Sequence, residues 1–477
     1  MTIHTASLKK YHSWLLIIPP LISLSLYFSS LNYFFFQDDF YEIIISRAHN
    51  FQGFISLFKF LGNRSSYRPI GLQTYFFTSY SLFGLNPVAF RAISFTLFFI
   101  SYFLIIKVIK KITNSHNVGF LTASLWVISA IHFMSLTWIA ASWLIIGLFL
   151  FLTASIFILN FSQNERKIYY TLSFIFFVLS ALSFEFFVSF PLIFVYYFLF
   201  IQKKSLRQTI LILSPFLLAV LIYAVFRSRY SYLPKITEYQ LAFNFESLKA
   251  LFWYGLWSLN VPEEFKKQIV TYILVFNKNF LSEFWPLVLK SFLGAAFILF
   301  VGIIMPITAA LKKSLKLNYH LVGFSFVWFL AAILPVLILP NHTFAMYLTL
   351  PSIGVYLLIS YLSVNFQKLW TIAFIMIIWT LTSFSAVSFY RDSSWIYDSQ
   401  RFAKEFTIKM KSKFATLPPN AVVLYPLNDN RHIQALLDQN AIRVIYDQPS
   451  IIIYYDKQKF FKDLNDGRFI DKQLFIY

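Results

Sequence analysis

The chain has 477 residues, 58% of them hydrophobic and 21% aromatic, and 40 Lys and Arg against 20 Asp and Glu give a formal charge of +20. This composition, with a mean hydropathy of +0.65, excludes an ordinary soluble globular domain. The absence of cysteine excludes thiol catalysis, cysteine-ligated metal and disulfides.

Apolar runs of roughly 18 to 24 residues alternate with short polar loops, the length a helix needs to cross a hydrocarbon core. A β-barrel would instead alternate with period two. The expected fold class is therefore an α-helical polytopic membrane protein. Lys9-Lys10, Lys107/Lys110/Lys111, Arg166-Lys167, Lys203-Lys204/Arg207, Lys312-Lys313/Lys316 and Lys368 fall in alternate loops. That pattern assigns these loops to the cytoplasm. Contact with anionic membrane lipids accounts for the basic balance, and no nucleic-acid partner is expected.

In chain order, a retained first helix spans about 13 to 33, too long for a signal peptide and without a small-residue cleavage site. It delivers Asp38 and Asp39 to the extracytoplasmic side, opening a first outer loop of about 34 to 87. Residues 40 to 66 carry apolar side chains at helical spacing and predict a helix lying in the interface. Further spans are expected near 88–106, 118–133, 139–159, 168–183, 186–201, 207–226, 286–311, 319–339, 344–363 and 369–390. That makes about eleven crossings, with the N-terminus cytoplasmic and the C-terminus extracytoplasmic.

The stretch 1–390 thus reads as a transmembrane domain and 391–477 as a soluble extracytoplasmic α/β domain, because half of all acidic residues lie in these last positions. A helix near 393–414 precedes three expected strands, Ala421–Tyr425, Ile442–Ile445 and Ser450–Tyr455. Helical patterns near Arg431–Leu437 and Lys457–Leu464 alternate with them. No phosphate-cradling glycine loop and no zinc spacing occurs.

Acid is scarce before residue 391, so the pair Asp38 and Asp39 stands out. Paired carboxylates at a membrane face can act as a general base or hold a divalent cation, and like-charge proximity raises one pKa. The plain alternative is a solvated loop. Glu185, apolar on both sides, needs a partner or a polar cavity at membrane depth, and a structural or orienting role is expected. Arg68, between Tyr67 and Pro69, offers a planar cation on the side of the acidic pair that suits a lipid phosphate. Arg227 carries the same two readings, phosphate ligand or interfacial arginine. His132 and His342 are expected at outer helix ends, where histidine can donate to a phosphate, bind metal or simply lie satisfied in the interface.

Together these segments resemble the GT-C superfamily of integral-membrane glycosyltransferases, and within it the protein O-mannosyltransferase-like and tetratricopeptide-bearing members. The resemblance rests on Asp38-Asp39, Tyr67-Arg68-Pro69 with Leu82–Pro87, the His132 turn, Leu182-Ser183-Phe184-Glu185, and Tyr347–Gly354. It implies a sugar donor on a polyprenyl phosphate or pyrophosphate, a glycan, lipid or protein acceptor, and transfer at the extracytoplasmic face. By that resemblance Asp38 is the catalytic base with Asp39 beside it. Arg68, His342 and Arg227 would bind the donor phosphate, and Glu185, His132, Tyr67 and Tyr347 would orient the site. The metal requirement is left unknown; beyond the lipid-linked donor no cofactor is certain, a divalent cation being possible. Relatives often carry a Lys where Phe184 stands, an acid where Thr137 stands, and an Arg near Tyr347 where Ala345 and Met346 stand. The reading from a different class is a non-catalytic membrane protein, a transporter of lipid-linked intermediates or a scaffold. A transporter would line its helices with polar groups through the midplane, whereas charge here gathers at one face.

Overall fold

The computed structural model describes residues 13–59, 67–230, 236–269, 275–312 and 316–477. Lys9-Lys10, Lys313 and the 60–66 end of the expected interface helix lie outside them. Among the described residues, seven helices are long and apolar enough to cross a membrane: Trp14–Asn32, Pro87–Thr113, Ile139–Asn164, Leu206–Arg229, Lys278–Lys312, Tyr319–Leu337 and Leu369–Ser393. An eighth span arises if the bent pair His116–Ile128 and Ala130–Thr137 counts as one, and Lys167–Ala181, Glu185–Ile201 and Ser352–Phe366 are shorter apolar helices. These segments coincide with the apolar runs of the sequence, and the chain is a multi-pass membrane protein.

Local chemistry sets where the helices begin and end. Asn86 accepts from Val88 N at 3.1 Å and Ala89 N at 3.4 Å, and Pro87 follows at the first helical position, so the span Pro87–Thr113 starts there. Lys110 and Lys111 occupy its last turn, next to the helix's negative end, and Asn114 closes it in the left-handed region. At the heart of the bundle, the indole N–H of Trp126, Trp328 and Trp379 donates to the carbonyls of Thr349, Leu350 and Leu125 at 2.8, 3.0 and 2.9 Å. Large rings thereby fill the interior without leaving a buried donor unpaired.

The 50° bend between His116–Ile128 and Ala130–Thr137 frees backbone groups that other side chains satisfy. Asn260 accepts from Ala130 N at 2.9 Å and from the Ser129 hydroxyl at 3.0 Å. His132 puts Nε2 within 2.9 Å of the Trp126 carbonyl and is fully buried between the rings of Trp126 and Phe98. His132 thus lies at the bend directly after the helix His116–Ile128, in a structural position. The bend turns the ring inward, and its task is to hold the bend.

The expected single interface helix over 40–66 is two short helices, Asp38–Ile45 and Phe51–Ser56. Asn50 starts the second by accepting from Gly53 N at 2.7 Å, which breaks the first. Phe51 and Ile55 are exposed, the apolar face of an interfacial helix.

In the tail, β1 (Val422–Leu424), β2 (Ile452–Tyr454) and β3 (Leu474–Ile476) form a parallel sheet in the order β2-β1-β3, with Val422 opposite Ile452 and Leu474. The expected strand at Ile442–Ile445 is instead part of the helix Asn440–Ile445. Both flanks of β1 are already taken, and helical winding buries Ala441, Ile442, Val444 and Ile445 together. β3 was not expected from the sequence.

Candidate active site

The acidic helix Asp38–Ile45 begins at Gln37, whose φ of 49° and ψ of −126° turn the chain sharply after Phe36. The two aspartates leave this turn in different directions. Asp39 is fully buried: its carboxylate accepts from Phe36 N at 3.1 Å and from Ala140 N at 2.6 Å. Burial pushes its pKa up to about 7, against the opposing pull of Arg91 and of the two N–H donors. Asp38 is exposed, and its carboxylate makes no hydrogen bond or ion pair among the described residues. Partial desolvation raises its pKa, and the Arg68 charge offsets only part of that rise.

Arg91, within an apolar helix and 1% exposed, anchors the floor of this turn. Its Nε and Nη2 donate to the Thr137 carbonyl at 3.2 and 2.9 Å, and its other N–H groups reach the carbonyls of Tyr33, Phe34 and Pro87. A buried guanidinium is tolerable only with its fork satisfied in this way. No acid stands at Thr137; its carbonyl serves instead. Sequence reading passed over Arg91, which sits in an apolar run and finds its partners only through the fold.

Arg68 lies at the start of the π-helical turn Pro69–Thr74. Its Nε and Nη2 reach Glu185 Oε2 at 3.3 Å, and Arg227 pairs with the other carboxylate oxygen. One carboxylate thus sits between two guanidiniums, leaving these three groups with one net positive charge. The Arg68 guanidinium also lies 4.1 Å from the Trp143 ring and 4.7 Å from Phe184, so both rings support the cation. Gly71 makes the approach possible. A Cβ there would stand 2.8 Å from both the Ser183 carbonyl oxygen and the Trp143 Cβ, and Ile70 N donates to the Leu182 carbonyl at 3.3 Å.

An aromatic wall joins this cluster to the acidic helix. Phe184 stacks on Tyr347 at 6.1 Å, Tyr347 meets His342 at 6.1 Å, and His342 lies 4.6 Å from Tyr239. Tyr239 feels the charges of both Arg68 and Asp38. Burial, and then Arg68, lower the His342 pKa, which favours a neutral ring. Near Ala345 and Met346, Glu263 accepts from Ala345 N at 2.6 Å and fixes the turn that presents Tyr347. Tyr67 donates to the Phe58 carbonyl at 2.7 Å and borders a cavity of about 430 Å³. That cavity is mostly apolar, lined by Ala181, Leu182, Val220 and Phe226, with Tyr223 and Arg227 as its polar residues beside Tyr67.

The structure therefore brings together Asp38, Arg68, Glu185, Arg227, His342 and Tyr347, with Tyr67 at the cavity. It leaves Asp39 and His132 in structural positions, and it adds Tyr223, Tyr239 and Trp143. Among the described residues no group of three or more His, Asp or Glu converges as a metal site. Both Asp39 oxygens accept from backbone N–H groups, so the two aspartates do not act as a matched pair.

No protein-family model matches the sequence, and no curated protein matches it. Among solved structures, ArnT from Cupriavidus metallidurans bound to undecaprenyl phosphate superposes with a TM-score of 0.50 at 11% identity, covering 98% of this chain and 90% of that one. The fold is shared with this ArnT structure. The Archaeoglobus fulgidus oligosaccharyltransferase with Zn and sulfate is similar at a TM-score of 0.47 and 13% identity, covering 92% of this chain and 62% of that one. The archaeal oligosaccharyltransferase AglB from the same organism, in complex with an inhibitory peptide and a dolichol-phosphate, gives 0.45 and 14%, with coverages of 93% and 64%. This chain thus spans a little under two thirds of these oligosaccharyltransferases and 90% of ArnT.

Proposed function

We propose that the protein is a glycosyltransferase that moves a sugar from a polyprenyl-phosphate-linked donor to a cell-envelope acceptor at the extracytoplasmic face, with Asp38 as general base. The observation that carries this reading is the unpartnered Asp38 carboxylate within electrostatic range of Arg68, which shares Glu185 with Arg227 at the border of an apolar cavity. The basic loops support the orientation, with the N-terminus in the cytoplasm and the tail outside.

In the reaction, Asp38 takes the proton of the acceptor hydroxyl as that oxygen bonds to the anomeric carbon. The bond from that carbon to the phosphate oxygen breaks, and its electron pair leaves with the lipid phosphate. Direct displacement of this kind inverts the anomeric centre. The net positive charge of the Arg68–Glu185–Arg227 group stabilises the departing phosphate. The cavity suits the first isoprene units of the carrier, because its walls are apolar and its mouth holds the cation. Tyr239 and His342 line the side facing Asp38 and can donate hydrogen bonds to sugar or phosphate oxygens. The acceptor class is a glycan, lipid or protein of the envelope.

The test is transfer from a panel of polyprenyl-phosphate sugars by wild type and Asp38→Asn. Loss of a general base lowers turnover by about 100-fold or more, with the unfolding temperature unchanged. Undiminished transfer by the variant would remove Asp38 from the role. Consumption of no donor by wild type would favour a transporter or scaffold.

A further inference from the structure

The tail grips the acidic segment at three points. Gln400, in the helix Trp395–Lys413, accepts from Phe34 N through Oε1 at 3.2 Å, while its Nε2 donates to the Tyr397 carbonyl at 3.2 Å and fixes the amide's orientation. The Ala435 carbonyl accepts from Gln37 N at 2.8 Å. Asp447 pairs with Arg47, just past the end of the acidic helix. Trp395 adds edge contacts to Phe36 at 5.9 Å and to Trp138 at 5.5 Å.

These anchors bracket the turn from which Asp38 departs. Gln37 holds a backbone conformation that is unfavourable for a side-chain-bearing residue and persists only where the surroundings impose it. The tail supplies that imposition, and the exchange is mutual. Ala435 lies in the last turn of the helix Asn430–Leu436, whose terminal carbonyls have no partner within the helix, and Gln37 N satisfies one of them. Leu437 and Asp438, both left-handed at φ 46° and 52°, end that helix beside the turn.

We propose that the C-terminal α/β unit is the element that aims Asp38, with Gln400 as its positioning residue. Gln400 holds Phe34 N, the Ala435 turn holds Gln37 N, and together they set the direction in which the first residue of the acidic helix leaves. Aiming matters because a misplacement of about 1 Å at a reacting group can cost on the order of 100-fold in rate. The proposal rests on the reading of Asp38 as the base.

The experiment compares full-length Gln400→Leu and Gln400→Glu with wild type. Two quantities are read, sugar transfer and amide hydrogen exchange over residues 34–40. Gln400→Leu removes the acceptor and is expected to lower kcat about tenfold with the donor KM within about twofold, and to speed exchange of those amides about tenfold. Gln400→Glu keeps an acceptor oxygen and restores both to within about threefold. If Gln400→Leu yields too little folded protein, Asp447→Asn weakens only the outer anchor, and a drop in kcat of about twofold is expected. Unchanged exchange, or wild-type kcat despite faster exchange, overturns the proposal. A loss that Gln400→Glu does not rescue also overturns it. If wild type transfers no sugar from any donor, the base assignment fails instead, while the exchange measurement still reports whether the tail holds the turn.

Discussion

Two arginine–carboxylate centres lie close to each other and do opposite things. At the first, Asp39 and Arg91 are sealed: each spends its hydrogen bonds on backbone groups, and they sense each other's charge without direct ion-pair contact. At the second, Glu185 is shared by Arg68 and Arg227, whose side chains are 18% and 29% exposed beside the cavity. A sealed centre has no free valence for a ligand and can only build. An open one retains a net charge and N–H groups that a phosphate can engage.

The contrast breaks most visibly at Arg91. Arg91→Met leaves several buried carbonyls without donors and Asp39 without its compensating charge, so a loss of about 3–5 kcal/mol is expected. Thermal unfolding in detergent measures it, and an unfolding temperature within a few degrees of wild type would show the centre is not sealed. The open centre predicts a different profile. Arg227→Gln weakens binding of polyprenyl phosphate by about tenfold, the scale of one charge-assisted hydrogen bond, with little change in unfolding temperature. Calorimetry or quenching of intrinsic fluorescence reads the affinity, and equal binding by the variant would mean that the phosphate lies elsewhere.

The smallest effect concerns pH. Because the Asp39 pKa is raised from 3.8 to about 7 in the folded protein, the native state holds a proton that the unfolded chain has released between those values. That stabilisation is fully present below pH 3.8 and is lost as pH rises through about 7. The unfolding temperature of wild type should therefore fall between pH 5 and pH 8 more than that of Asp39→Asn. Parallel slopes for the two proteins would contradict it.

The difference between the centres also explains what could be read from sequence. The apolar runs, the scarce acids Asp38, Asp39 and Glu185, and Arg68 announced themselves by local composition, and the spans and most of the tail's helices followed from periodicity. Arg91 did not, since one basic residue at the start of an apolar run reads as a helix end, and its carbonyl partners are up to 58 residues away. The Glu185–Arg227 pair, 42 residues apart, and the Gln400 contact across 366 residues were likewise beyond any window. The burial of His132 was not legible either, because the bend beside it is held by Asn260, which bonds Ala130 across 130 residues. The Ile442–Ile445 segment has strand composition, but the flanks of β1 were filled by others.

The close contact at Gly71 carries one more consequence, for how a bulky lipid gains admission. On that side, the turn that holds Arg68 rests tightly on the backbone of the segment before Glu185 and on the Trp143 Cβ. The opposite wall is the span Leu206–Arg229, whose apolar window is only 17% buried against protein, the least of the seven. The cavity thus has one rigid jaw and one compliant jaw. Under the proposed reading of the cavity as the carrier-lipid site, widening to admit a branched isoprenoid would fall on the compliant jaw, which carries Arg227, and not on the jaw that carries Arg68.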